Sequence, residues 1–483
     1  MTDIIRTVWP YLLGVVVAAA AAGATLHAIT TKRTTSSAVA WVGLVWLSPL
    51  LGAITYFLLG INRVHRQASA ARSGSARYRG SWGLAGESSD RLVELRGEAY
   101  HHLRPLARLG DRVAERPLLP GNRVTILRGG DAAYPAMIEA IDSAAESVSL
   151  VTYIFDYDRS GKSFVKALIR ARERGVEVRV LIDDVGARYS RPASDIALRR
   201  GGVPVARFMP ATLHWRMPYF NLRNHRKIMV VDGRIGFTGG MNIREGHELR
   251  LLPKHPTPDT HFRITGPAVA ELQEVFAEDW SFSRRERLLG DRWFPELEAD
   301  GKCLARGVSD GPDVDFERLQ SVIVGALSAA KQHITIMTPY FIPDQVVSTS
   351  LTLAAMRGVD VRICVPERSN LQLVQWASTA YWGPLLDKGC RIFLVPPPFD
   401  HSKLMMVDDV WSLIGSANLD PRSLQLNFEF NVECYDSDLA TALRVMVDDK
   451  LAGGTEVDLL DLQNRPFRLQ LRDNLARLLS PFL

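Results

Sequence analysis

The 483-residue chain has only four cysteines, Cys303, Cys364, Cys390 and Cys434, far apart and without a C-x-x-C pair. A disulfide framework or cysteine metal cluster is thereby excluded, and the thiols read as reduced groups in a cytosolic domain. Lysine is scarce, with ten against 48 arginines. Charge of either sign is missing from 25 consecutive residues between Arg6 and Lys32 and from 29 between Arg33 and Arg63. A basic body is missing too. The formal charge is +5, of which residues 1–62 carry +2 and Arg63, Arg66, Arg72, Arg77 and Arg79 a further +5, so residues 80–483 sum to −2. With 47% hydrophobic and 23% charged residues, the chain is neither disordered nor collagen-like. Its length suggests about three domain-sized pieces.

Each uncharged run is long enough to cross a hydrocarbon layer of about 30 Å at about 1.5 Å per helical residue. We expect spans at about 9–29 and 38–60 within a transmembrane hairpin over 1–62, with Trp9, Tyr11, Trp41 and Trp46 as interfacial residues. A cleaved signal peptide ending near Ala24 is the alternative for the first run. Both readings leave the chain after Gly60 in the cytoplasm, and the five arginines of residues 63–79 fit that side. Lys32 and Arg33 in the hairpin loop weaken that contrast. Residues 63–117 read as a basic juxtamembrane linker, rich in Ser, Gly, Ala and Arg over 67–90.

The remainder repeats itself. Ser143–Phe155 resembles Ser328–Phe341, and Arg174–Asp183 resembles Arg357–Pro366. The offset is 186 residues at Thr152/Thr338 but 176 at His225/His401, which places an insertion over 211–223 in the first copy. Each copy reads as apolar strands alternating with helices, predicting an α/β fold with a largely buried sheet. The expected halves are 118–300 and 301–483, related as a pseudo-twofold pair.

Each half carries one short motif. His225-Arg-Lys227 with Asp232 is followed by Gly239-Gly-Met-Asn242, and His401-Ser-Lys403 with Asp408 by Gly415-Ser-Ala-Asn418, at identical spacing. A chance H-x-K-x₄-D is expected in roughly one or two chains in a hundred of this composition. Two at equivalent places in a repeat are not chance. Residues i and i+2 of a strand share a face, so each lysine ammonium sits beside its histidine. Asp232-Gly233 and Asp408-Asp409 look like hairpin turns, so the aspartates read as structural or orienting members of the set. Gly239 and Gly415 permit close backbone approach, and Asn242 and Asn418 offer amides for binding substrate. Two imidazoles, two ammoniums and two amides suit a phosphate group: one imidazole attacks phosphorus and the other protonates the leaving alkoxide. The lysines balance transition-state charge, so no cofactor and no metal is called for. His101, His102, His247 and His255 lack matched partners and read as structural. The pair Asp183-Asp184 lacks the further acids of a magnesium site.

The doubled H-x-K-x₄-D motif resembles the phospholipase D superfamily. The hairpin, the repeat, the stretch Leu413–Asp420 and the tail Leu475–Leu483 are similar to the bacterial cardiolipin synthases, over essentially the whole chain. The resemblance implies two repeated phospholipase D-like α/β units as catalytic body and a phosphohistidine on the first-motif histidine. It also implies phosphatidyl transfer between two phosphatidylglycerol molecules with release of glycerol. By that resemblance His225 is the nucleophile and His401 the general acid, then base, of a catalytic set completed by Lys227, Asp232, Lys403 and Asp408. Asp259 and Glu429, acids downstream of each motif, match residues that orient the imidazoles. Arg223 and Tyr340 are further candidates near a headgroup. Gly240, where the second motif has Ser416, leaves a hydroxyl contact in the first half in question.

The expected partners are phosphatidylglycerol and anionic membrane lipid, with the protein integral to a bacterial inner membrane and multi-pass, its catalytic body cytoplasmic. Oligomeric state, including a homo-oligomer, is left open. A nuclease of the same superfamily needs a basic surface that a body of charge −2 does not supply, so nucleic acid is not expected as partner. A hydrolase, or a transferase with another acceptor such as phosphatidylethanolamine, is the alternative.

Overall fold

A computed structural model describes residues 2–32, 35–60, 87–189, 192–210, 222–313 and 315–482. The five arginines at 63–79 and most of the expected insertion at 211–223 lie outside the described residues. The chain divides into two units, Met1–Ala68 and Ser69–Leu483.

In the first unit, the helix Thr2–Thr31 contains the one stretch, Val8–Thr31, that is long and apolar enough among the described residues to cross a membrane. The second expected span is broken. A helix over Thr35–Leu47 stops at Ser48-Pro49, and Pro49–Thr55 and the π-helical turn Tyr56–Gly60 follow. Proline has no N–H to give to the preceding turn, which is why the run does not form one helix. Ala21, Ala28, Val45 and Tyr56 form a small buried cluster within this unit.

The second unit is built on one mixed sheet. Its first copy holds β1 (Leu119–Arg128), β2 (Ser147–Thr152), β3 (Glu177–Asp183), β4 (Val205–Phe208), β5 (Arg223–Asn224), β6 (Ile228–Val231), β7 (Ile235–Gly239) and β8 (Thr260–Thr265). The second holds β9 (Cys303–Asp310), β10 (His333–Met337), β11 (Asp360–Pro366), β12 (Arg391–Val395), β13 (Leu404–Val407), β14 (Trp411–Gly415), β15 (Asn427–Tyr435) and β16 (Thr455–Glu456). The order is β16-β12-β11-β10-β13-β14-β15-β9-β1-β8-β7-β6-β2-β3-β4, with β5 beside β15. Read outwards from the β1/β9 junction, both copies run through four antiparallel pairings and then two parallel ones, and the second copy adds β16, antiparallel, at its edge. β2 and β10 are almost wholly buried, their polar Ser149 and Thr335 included, as strands covered on both faces are. Phe164, Leu168 and Ala171 of the helix Arg159–Glu173 cover one copy, and Leu319, Val322 and Leu327 of the helix Arg318–Ala329 the other.

Residues 87–114, inside the stretch read as a linker, are part of this body. The helix Arg104–Ala114 buries Leu106 and Ala107 in the core of the second copy, and Asp111 pairs with the fully buried Arg306 of β9. Its polar sequence hid this, because one buried arginine needs a carboxylate that only tertiary folding supplies.

Candidate active site

The two motifs occupy matching places. Each H-x-K lies in an extended lead-in just before its strand, β6 or β13, instead of within it. Alternation holds in part, since Lys227 and Lys403 lie beside the histidines but are not among the residues lining their cavity. His225 and His401 line one cavity, whereas the residue between each pair turns away. Arg226 is fully buried against Asp279 at 2.7 and 2.8 Å, and Ser402 shares a hydrogen bond with Thr260 at 2.9 Å.

Each lead-in is stitched to the other copy. β5 pairs in parallel with β15, and the His225 N–H donates to the Phe428 carbonyl at 2.9 Å. The His401 N–H donates to the Pro258 carbonyl at 2.8 Å. These crossings deliver the carboxylates. His225 Nδ1–H donates to Glu429, 2.9 and 3.1 Å from its two oxygens, and His401 Nδ1–H donates to Asp259 Oδ2 at 2.8 Å. A carboxylate can only accept, so both imidazoles carry a proton on Nδ1 and turn Nε2 outwards, where it can attack phosphorus or, when protonated, give its proton to a leaving oxygen. Each histidine is therefore oriented by an acid from the opposite copy.

The difference between Gly240 and Ser416 has its cause here. A Cβ on Gly240 would stand 2.3 Å from Asp259 Oδ1, so the shorter carboxylate fills the space a side chain would need. Glu429 reaches from farther away, and Ser416 Oγ–H donates to its Oε2 at 2.5 Å. The first copy has no equivalent hydroxyl contact.

The lysines are buried beside the histidines. Lys227 Nζ donates to the His225 carbonyl at 2.6 Å, and Lys403 Nζ lies 2.9 Å from His401 Nδ1. Burial pushes Lys227 down to about 7 and Lys403 to about 8. Burial lowers both histidines as well, His401 strongly so with Lys403 and Lys227 adding to the effect. Burial favours the neutral form of Glu429, but His225 and Lys227 outweigh it and hold that carboxyl below its ordinary value. Burial thus penalises the cations of the site, and a phosphodiester anion beside them offsets that penalty.

The cavity is about 540 Å³ and draws on both copies. Asn242 and Asn418 line it, as do Arg223 and Tyr340. Asn242 Oδ1 accepts from the Ile154 N–H at 3.1 Å, so part of its amide serves the loop after β2. Asp232 and Asp408 are not in the cavity. Asp232 accepts from the N–H groups of Ala145, Glu146 and Ser147, and Asp408 from those of Lys331, Gln332 and His333, all between 2.7 and 3.0 Å. The turn reading of these residues fits, with φ of 51° and 53°, and the placement among catalytic groups does not. Their distance from the histidines follows from lying at the far end of the strands.

Sequence reasoning missed several wall residues. His247, set aside as structural, is buried with its ring 6.5 Å from His401 and lines the cavity. Arg244 and Arg422 line it as well, and Tyr153 sits edge-on to His225 at 5.3 Å. A signal for Tyr153 existed: each copy has a tyrosine just past its β2 or β10 strand, one residue out of register. His255 lines no part of the cavity. His102 pairs with Asp408 at 2.8 Å, and the Asp183 carboxylate accepts from backbone N–H groups of Val185, Gly186 and Asn224.

A family described as "Cardiolipin synthase, PLD-like domain" matches residues 137–280 and 323–450, and one described as "Phospholipase_D-nuclease N-terminal" matches residues 19–60. The first covers both copies and both motifs. The chain belongs to the cardiolipin synthase family. Among this family's members, it is 35% identical over 483 residues to "Cardiolipin synthase A" of Pseudomonas putida (strain GB-1), covering 98% of this chain and 97% of that protein. It is 32% identical over 459 residues to "Cardiolipin synthase" of Geobacillus thermodenitrificans (strain NG80-2), covering 94% and 90%. The phosphatidylserine synthase of Haemophilus influenzae Rd KW20 superposes with a TM-score of 0.61 at 16% identity, over 78% of this chain and all of that one, which establishes the shared fold.

Proposed function

We propose that this enzyme makes cardiolipin by transferring a phosphatidyl group from one phosphatidylglycerol to another through a phosphohistidine. The observation that carries the reading is the crossed pair of His225–Glu429 and His401–Asp259 facing one cavity. His225 Nε2 attacks phosphorus as the bond to the headgroup glycerol oxygen breaks, and His401 gives that oxygen a proton. His401 then takes the proton from a glycerol hydroxyl of the second lipid, whose oxygen attacks phosphorus and releases His225. Glycerol and cardiolipin are the products, and every proton is returned. Lys227 and Lys403 hold the non-bridging oxygens, where charge grows in the transition state. Asn242 and Asn418 complete the binding surface. Asp259 and Glu429 act through the imidazoles, and Asp232 and Asp408 through the turns that hold the strands.

The halves are taken as 118–300 and 301–483, each giving one histidine. Residues 1–62 are taken as a multi-pass anchor with the body on the cytoplasmic side of the inner membrane. The match over residues 19–60 and the apolar helix Val8–Thr31 support this anchor. Anchoring sets a concentrated lipid alcohol beside the intermediate in competition with water, which favours transfer. Incubation of the purified protein with phosphatidylglycerol vesicles and mass spectrometry of the products tests the reading. Cardiolipin and glycerol in equal amounts are expected. Phosphatidic acid as the sole product would make the enzyme a hydrolase.

A further inference from the structure

The last helix of the body, Phe467–Arg477, is turned the wrong way round for a water-soluble surface. Its inner face carries Asp473, whose side chain is 3% exposed and accepts from Arg465 at 2.6 Å and from Arg472 at 2.7 Å. Its outer face carries Phe467, Leu471, Leu475 and Leu478, spaced at i, i+4, i+8 and i+11 and 77%, 46%, 55% and 70% exposed. An amphipathic helix on a soluble body buries its apolar stripe and shows its charges. This one buries Asp473 beside Ala476 and turns its leucines out, and the inversion is built in, because rolling the helix over would carry Asp473 away from Arg465 and Arg472 off the Trp376 ring.

Its surroundings connect it to the cavity. The helix packs on Gln372–Asp387, with the Arg472 guanidinium 4.6 Å above the Trp376 ring. Leu371, 50% exposed just before that partner helix, and Val374 within it line the cavity. The turn Ser480–Phe482 that follows rests on the helix Pro421–Gln425, which carries Arg422 of the cavity wall.

We infer that this inverted helix is a membrane-docking surface, whose leucine and phenylalanine stripe enters the headgroup region of an anionic bilayer beside the mouth of the cavity. Charge fixes the choice of occupant. Residues 465–478 contain four arginines and one acid, and the acid, Asp473, is the one paired inside. An apolar stripe flanked by arginine is attracted to anionic lipid both by burial and by charge. A second copy would set the same arginines against each other. The helix thereby places the entrance at the depth from which a phospholipid headgroup can enter with its chains still in the bilayer. This last step rests on the proposed lipid substrate, whereas the docking does not.

The four native cysteines are buried, so a single introduced cysteine takes a fluorophore selectively. Full-length Leu475→Cys is labelled and reconstituted into phosphatidylglycerol–phosphatidylcholine vesicles containing a lipid with a spin label high on its acyl chain. Arg234→Cys, at the end of the β6–β7 hairpin remote from the cavity, is the reference. Quenching at 475 is expected to exceed that at 234 by about twofold or more. Equal quenching at both positions, or crosslinking of 475 to a second copy, overturns the inference. The double variant Leu471→Asp/Leu475→Asp is expected to turn over vesicle phosphatidylglycerol about tenfold more slowly but a short-chain monomeric analogue within about twofold of wild type. Undiminished turnover of vesicles counts against docking. A wild-type chain that makes no cardiolipin yet shows the quenching would refute the proposed reaction alone.

Discussion

Gly240→Ser exchanges a first-motif residue for the one that stands at the same place in the second motif, and the structure says it should disable the enzyme. The new Cβ would meet Asp259 at 2.3 Å from Oδ1, 2.6 Å from Oδ2 and 2.8 Å from Cγ. That is roughly 1 Å short of ordinary contact. The carboxylate has little room to retreat: Oδ1 accepts from the Thr260 N–H at 2.7 Å and Oδ2 from His401 at 2.8 Å. Accommodating the side chain costs about 1–3 kcal/mol of stability, as overpacking does. Displacing Asp259 by about 1 Å takes His401 out of line, and a misplacement of that size costs about a hundredfold in rate. The reverse change, Ser416→Gly, removes the hydroxyl's bond to the Glu429 carboxylate, worth about 1.5–3 kcal/mol, and its contact with the Phe430 N–H at 3.0 Å, yet leaves Glu429 on His225. Its rate loss should therefore be the smaller, about tenfold. The assay is kcat for cardiolipin formation in mixed micelles, with a thermal melt on each variant. A folded Gly240→Ser enzyme with kcat within about threefold of wild type would refute the reasoning.

His225→Ala and His401→Ala should each lower kcat by about a thousandfold or more with an unchanged melt, because the two imidazoles act as one unit; wild-type output from purified His225→Ala would exclude the phosphohistidine. Asp232→Asn should destabilise the fold by about 1–3 kcal/mol through the three N–H groups it leaves poorly matched, with activity per folded molecule within about threefold, measured by denaturant titration and active-site labelling. The two buried lysines must be protonated to hold the phosphodiester, so kcat/KM should fall as pH rises through their values of about 7 and 8. Both values lie below the ordinary 10.5, so the unfolded chain keeps protons that the folded lysines have released. The unliganded fold should gain stability from about pH 7 upwards, and a flat kcat/KM profile between pH 6 and about 9 would contradict the assignment.

The sequence by itself determined the repeat, the α/β class and the two H-x-K pairs, since strand alternation and motif spacing are local properties that a chain cannot hide. The family resemblance pointed to the candidate acids Asp259 and Glu429, but not to which histidine each would serve. His225 and Glu429 are 204 residues apart, and their contact exists because β5 lies beside β15. The requirement for Gly240 is likewise invisible until the Asp259 carboxylate is seen filling the space. The motif aspartates show the opposite case, where a shared motif suggested a shared site and strand length separated them. His247 and the arginine-lined wall come from loops with no periodic signal, and the inverted face of Phe467–Arg477 depends on which side of the helix finds a partner. Local pattern therefore set the parts and their chemistry, and long-range pairing between the two copies set which groups meet.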